Sequence, residues 1–325
     1  MNRSRTLGLL ALGGILSAYL PAFAEPVEVE KTIKAYAPAE KVSGNLTAIG
    51  SDTLNNLMTL WSEAFKMRYP KVKIQVEGKG STTAPPALIA GTAQLGPMSR
   101  LMKPEEIDAF EKQYGYKPTA IRVAVDGIGV FVNKDNPLEE LTMPQVDAIF
   151  SKTRKGGGAD DLMTWGQLGL TGAWAPKPIS LYGRNSASGT YGYFKEHALF
   201  KGDYKDTVKE QPGSAAVVQG ITADKYAIGY CGIGYMTSDV KALRLAVKEG
   251  TPFVPNDAAN VYAGKYPLSR FLYIYVNKAP DKPIGPLVHE FLAFVLSKEG
   301  QEIVIKDGYL PLLGQHVAEE LPKLK

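Results

Sequence analysis

The stretch "TAIRVAVDGIGVFVN" (residues 119–133) decides the fold. It is apolar almost throughout, far longer than an ordinary strand, and carries one acid, Asp126, in its middle. A continuous apolar run belongs to a strand covered on both faces. One of this length can leave one packed unit and enter another. A second such run, "SRFLYIYVNK" (269–278), follows much later. Two buried runs bracketing a middle block predict a chain that crosses between two units twice.

Outward from that strand, strands alternate with helices. "NLTAIG" reads as a strand ending at Gly50. Then Leu54, Leu57, Met58, Trp61, Ala64 and Phe65 recur at steps of three and four, an amphipathic helix capped by Ser51, Asp52 or Thr53 and stopped by Pro70. "KVKIQVEG" and "AQLGPMS" read as strands, and Pro104 to Tyr114 as a helix. The middle block repeats the alternation: a helix over 143–150, the strand "KPISLYG", a helix opened by Gly213-Ser214, and the strand "YAIGYCGIGY". Helices over 286–297 and 299–307 close the chain. The pattern predicts an α/β protein with mostly parallel sheets. Residues 25–43, with charges and prolines but no periodicity, read as a mobile extension.

The first 24 residues have a basic start, an apolar run broken by glycines, and Ala22-Phe23-Ala24 as a cleavage pattern. They read as a secretory signal peptide, cut after Ala24. Removing Arg3 and Arg5 with it leaves 35 basic against 33 acidic residues, a formal +2. Without basic runs interleaved with aromatics, nucleic acid is excluded as a partner. The lone Cys231 sits in an apolar, glycine-rich run and reads as a buried small hydrophobe. No clustered cysteines or spaced histidines suggest a metal, and no cofactor motif is present.

Three turns share one design: a strand ends, small hydroxyl residues follow, and a helix begins. They are "GSDTL" (50–54), "GKGSTT" (78–83) and "GRNSASGT" (183–190). Each offers backbone N–H groups at a helix start, where the dipole favours anions, plus O–H donors. Arg184 adds a fixed charge able to pair bidentately. One such turn is usually only a cap. Three converging on the carboxyl ends of strands would surround a small oxyanion. The competing reading is a phosphomonoesterase using Ser188 and Arg184. It needs a base, and His197, His289 and His316 are poorly spaced for that role.

The segments "AIGSDTLNNLMTLWSEAF", "GKGSTTAPPALIAGTAQLGPMSR", "VAVDGIGVFVNKDNP", "LYGRNSASGTYGYFKE" and "GIGYMTSDV", in that order, resemble the periplasmic phosphate-binding proteins of ABC phosphate-uptake systems. The resemblance covers the chain from Gly44 onward. It implies a two-lobed periplasmic-binding-protein fold of type II-like arrangement, with mixed sheets flanked by helices and two crossover strands as hinge. Lobe one would combine 44–126 with 270–325, and lobe two would be 127–269, after the signal peptide 1–24 and the extension 25–43. It further implies a monomeric periplasmic receptor that binds inorganic phosphate, closes over it, and delivers it to ABC permease subunits of the inner membrane. Thr53 and Leu54 correspond to first-turn contacts, Ser81 with Thr82 beside it to the second, and Arg184, Ser188, Gly189 and Thr190 to the lobe-two cluster. Ser51 lies beside the first of these.

One position departs from the family pattern. The third strand usually ends Ser-Asp, and that aspartate accepts the proton of hydrogen phosphate. Here it ends Ser99-Arg100. A site made only of donors would take sulfate or molybdate as well, so another carboxylate is expected. Asp126, the charge inside the apolar crossover, ranks first, and Asp52, in the first turn, second. Arg100 is expected to pair with whichever carboxylate is used, or to touch the anion.

Overall fold

The computed structural model describes residues 26–158 and 160–325, so the expected signal peptide lies outside the described residues. The chain opens with strand β1 (Gly44–Ile49), helix α1 (Asn55–Arg68) and strand β2 (Val72–Glu77), which pairs in parallel with β1. Helix α2 (Ala84–Ile89), strand β3 (Gly96–Met98) and helix α3 (Pro104–Tyr114) follow. Next comes the long strand β4 (Thr119–Asn133). The middle block holds β5 (Glu140–Thr142), α4 (Met143–Phe150), β6 (Ser180–Arg184), α5 (Gly189–His197), β7 (Lys209–Gln211) and α6 (Ser214–Ala223). It continues with β8 (Ala227–Gly232), β9 (Val240–Ala242), β10 (Arg244–Ala246) and α7 (Ala258–Tyr262). Strand β11 (Ser269–Val276) leads back to α8 (Pro286–Val295), α9 (Lys298–Lys306) and α10 (Gly314–Glu320).

The crossover strand behaves as its composition demands. From Thr119 to Gly127, β4 pairs antiparallel with β11, and from Ile128 to Val132 it pairs antiparallel with β8. One strand therefore belongs to two pairings in succession. The main sheet runs β3-β11-β4-β8-β6-β7, with β9 also on β4. Only β8-β6 and β6-β7 within it are parallel. The expectation of mostly parallel sheets fails here because the two crossover strands run in opposite directions and each imposes antiparallel partners. The result is a mixed α/β arrangement with helices against the sheets.

Each part of the molecule has its own aromatic core. Trp61 and Phe65 of α1 are fully buried; the Trp61 indole donates to the Gly300 carbonyl at 2.8 Å, and Phe65 meets Phe291 edge-on. In the middle block Phe194 stacks on Tyr230 at 3.8 Å and Tyr191 on Tyr204 at 4.5 Å, which fixes α5 over the sheet. Burying rings of this size contributes roughly 2–3 kcal/mol each. Cys231 is buried in β8, and burial pushes its thiol up.

Residues 26–43 are not the loose extension their composition suggests. They form a strap across α8, α9 and α10. Ile33 is buried, Lys34 accepts the Lys298 N–H at 2.8 Å, and Glu30 accepts the Gly314 N–H at 2.7 Å. Tyr36 donates its hydroxyl to Glu290 and meets the Tyr69 hydroxyl at 2.7 Å. Aperiodic sequence folds here because its partners come from the far end of the chain. Tyr36→Phe should therefore cost about 1–3 kcal/mol by starving the buried Glu290 carboxylate of a donor. Urea unfolding checks this; an unshifted midpoint would show that the strap adds nothing to stability.

Candidate functional site

The three hydroxyl turns meet. None of Ser51, Asp52 and Thr53 makes the local cap expected of it, because each finds a partner elsewhere. Ser51 Oγ donates to Ser99 Oγ at 3.0 Å. Thr53 Oγ1 lies 2.9 Å from Thr190 Oγ1. Leu54 is buried, its N–H facing the Ser51 carbonyl at 3.3 Å. In the second turn, Gly80 has φ 122° and runs so close to the third turn that a Cβ there would stand 2.4 Å from the Ala187 carbonyl oxygen. Thr82 donates both its N–H and its hydroxyl to that same oxygen, each at 3.2 Å. In the third turn, a Cβ on Gly189 would stand 2.3 Å from Ser81 Oγ and 2.6 Å from Ser99 Oγ. Glycine is required there for the closeness of the approach.

Three of these hydroxyls, Ser81, Ser188 and Thr190, have a common polarity. Ser188 caps α5, its Oγ accepting the N–H groups of Thr190 and Tyr191 at 3.1 and 3.4 Å. Ser81 Oγ accepts the Ser99 N–H at 3.1 Å. Thr190 Oγ1 accepts from Arg270 Nη2 at 2.9 Å. A hydroxyl has one hydrogen to give and two lone pairs. Where protein N–H groups occupy the lone pairs, the hydrogen is what remains for a ligand. Ser51, Thr53, Ser81, Ser99, Ser188 and Thr190 are all buried. The cluster is thus a dry group of donors able to hold an oxyanion.

Four charged residues border it. Arg184 is 1% exposed and donates through Nη1 to Ser214 Oγ at 2.8 Å and through Nη2 to the Pro212 carbonyl at 3.1 Å. Nη1 also lies 3.2 Å from Asp52 Oδ2, and Nε has no partner among the described residues. Asp52 caps no helix of its own. Its Oδ2 accepts the Ser214 N–H at 2.8 Å, so it caps α6, where the helix dipole favours a carboxylate. Tyr235 donates to the Asp52 carbonyl at 2.9 Å, adding to the same junction. Asp126 is fully buried: Oδ1 accepts the Ile233 N–H at 3.0 Å and Oδ2 pairs with Arg270 at 2.7 Å. Arg270 completes the four, and it carries no turn or motif that marks it in the sequence.

Arg100 pairs with neither expected carboxylate. It forms a bidentate pair with Glu106, at 2.7 and 2.6 Å, and donates to the Leu101 carbonyl at 2.8 Å. The reason is local: Glu106 sits in the first turn of α3, where it also accepts the Lys103 N–H at 2.8 Å. The histidines stand with other partners. His197 stacks on Tyr193 at 4.0 Å, His289 faces Glu290 at 3.6 Å, and His316 meets Phe271 edge-on at 5.0 Å.

A model of the PBP superfamily domain matches residues 35–299. The phosphate-binding protein PstS of Pseudomonas aeruginosa is 57% identical over 315 residues, covering 97% of each chain. That of Staphylococcus epidermidis is 30% identical, covering 80% of this chain and 77% of its own. Among solved structures, one from Clostridium perfringens described as a phosphate ABC transporter substrate-binding protein with bound phosphate superposes with a TM-score of 0.70 at 26% identity. It covers 83% of this chain and 100% of its own. An ABC-type phosphate transport receptor from Vibrio cholerae shares the fold at a TM-score of 0.63 and 23% identity, covering 82% and 100%.

One carboxyl beside this junction is out of its ordinary range. Burial pushes Asp307 up to about 7, and its Oδ2 has no partner among the described residues. An acid whose folded pKa is raised adds stability at low pH and loses it as pH rises through the folded value. The group is partly solvated, so the effect is screened to about 1 kcal/mol. Asp307→Asn should accordingly gain on the parent protein as pH rises from about 4 to about 7. Parallel melting curves across that range would contradict the assignment.

Proposed function

The chain belongs to the phosphate-binding protein family within the PBP superfamily, and on that premise we propose that it captures inorganic phosphate outside the inner membrane and hands it to an ABC importer. The single observation that carries the oxyanion part of this reading is the buried hydroxyl cluster, in which the oxygens of Ser81, Ser188 and Thr190 already accept from protein N–H groups. Thr53, Leu54, Ser81, Arg184, Ser188, Gly189 and Thr190 supply the donors, with Ser51 and Thr82 supporting the turns. In this reading it works as a periplasmic monomer that docks on permease subunits, a location supported by the reading of residues 1–24 as a signal peptide. Lobe one, 44–126 with 270–325, and lobe two, 127–269, close over the anion by bending at the two crossover strands. The contacts Thr53–Thr190, Thr82–Ala187 and Asp52–Ser214 all join one proposed lobe to the other.

Selectivity needs one acceptor among the donors. Hydrogen phosphate keeps a proton at neutral pH and sulfate does not. A buried carboxylate accepts the P–O–H, but meets only lone pairs and like charge if sulfate enters. We assign that role to Asp126. It lies inside the cluster, one guanidinium away from Thr190. Asp52 is committed to the N-terminus of α6 and to Arg184. The protein acts as a receptor and performs no chemistry on its ligand. Ser188 spends its oxygen capping α5, and the three histidines have partners elsewhere, which gives the phosphomonoesterase reading nothing to build on.

Two measurements follow. Arg184→Ala should weaken phosphate binding by roughly 2–5 kcal/mol in calorimetry, since it strips a desolvated anion of its charged donor. A loss of a few tenths would place Arg184 outside the contact set. Asp126→Asn should narrow the preference for phosphate over sulfate. If selectivity survives there and collapses in Asp52→Asn, the acceptor is Asp52.

A further inference from the structure

Arg270 of β11 stands directly opposite Asp126 of β4 in the antiparallel register. Both side chains are withdrawn from solvent, 2% and 0% exposed. The guanidinium is committed almost wholly to the protein. Nε and Nη2 both donate to Asp126 Oδ2, at 2.9 and 2.7 Å. Nη1 donates to the Ser99 carbonyl at 2.7 Å, and Nη2 also reaches Thr190 Oγ1 at 2.9 Å. Of the five N–H groups an arginine owns, one on Nη1 is left over. A side chain so engaged does not grip an anion bidentately.

We propose that Arg270 is the positioning residue that sets which oxyanion the cleft accepts, acting through Asp126 and Thr190. This rests on the phosphate reading above. A carboxylate offers about four lone-pair sites. Arg270 fills two of them on Oδ2, and the Ile233 N–H takes one on Oδ1. A single acceptor site remains, the number a monoprotonated oxyanion can use and a fully deprotonated one cannot. Thr190 is biased the opposite way: its oxygen accepts from Nη2, which turns its hydrogen toward Thr53 Oγ1, 2.9 Å away, or toward a ligand. One guanidinium thus prepares an acceptor on a crossover strand and a donor at the start of α5. The planar fork is what lets it serve both at once; an ammonium is a point charge without that geometry. The Tyr193 ring, 5.5 Å from the guanidinium carbon, backs it from the side of α5.

The test compares dissociation constants for phosphate and for sulfate, by calorimetry, across a small set of variants checked for folding by thermal melting. Arg270→Lys keeps the charge and should lower the phosphate-to-sulfate affinity ratio by at least about tenfold. Arg270→Gln combined with Asp126→Asn should lose no more selectivity than either change alone, because both act through one acceptor. Should Arg270→Lys weaken both anions equally, with the ratio unchanged, the residue is a structural clamp and the inference fails while the phosphate reading stands. Additive losses in the double variant would sink it in the same way. A parent protein that prefers sulfate or molybdate overturns the phosphate reading and takes this inference with it.

Discussion

A charge taken out of water must be matched, and this requirement organises the seam of the molecule. Asp126 and Arg270, 144 residues apart, face each other across the rung where the crossover strands pair. Asp52 and Arg184 make a second match, between the first turn and the start of α6. Asp126, Arg270 and Arg184 could not stay buried alone at tolerable cost. The pairs therefore demand that distant segments arrive together and in register. The hydroxyl turns can only converge once that is done.

The pairing also shapes how an anion is held. Each buried arginine already has a carboxylate beside it, so the seam carries little unbalanced charge. Attraction for an oxyanion then comes chiefly from oriented O–H and N–H dipoles at short range. Such dipoles report the number and direction of a ligand's own hydrogens. A naked cationic pocket would report only its charge.

Much of this could be read in the sequence. The crossover strand, the hydroxyl turns and most helix limits follow from apolar runs, periodicity and caps, and Asp126 stood out as the lone acid in its run. No turn or motif marks Arg270, but it is flanked by apolar and aromatic residues in "SRFLYIYV", and the argument used for Asp126 applies to it as well. Other features left no local trace. Asp52 looks like an ordinary cap for the helix that follows it, yet it serves a helix 162 residues further on. Arg100 invites a functional partner, and geometry gives it Glu106. The strap at 26–43 has no periodicity because its order is imposed from outside by α8 and α9. In each case the deciding contact is tertiary, and local patterning does not encode tertiary partners.

The strap has a consequence for how the chain is made. Apart from Tyr69, its named partners, Glu290, Lys298, Glu299 and Gly314, belong to the last stretch of the polypeptide, as does β11, which flanks β4. The first segments to be synthesised are therefore the last to be completed. Until the C-terminal helices emerge, β1 to β3 lack the neighbours that would lock them, and closing so long a loop is slow. The order of synthesis itself keeps the early chain pliant, which is the condition a polypeptide needs if it must be threaded through a membrane pore before it folds.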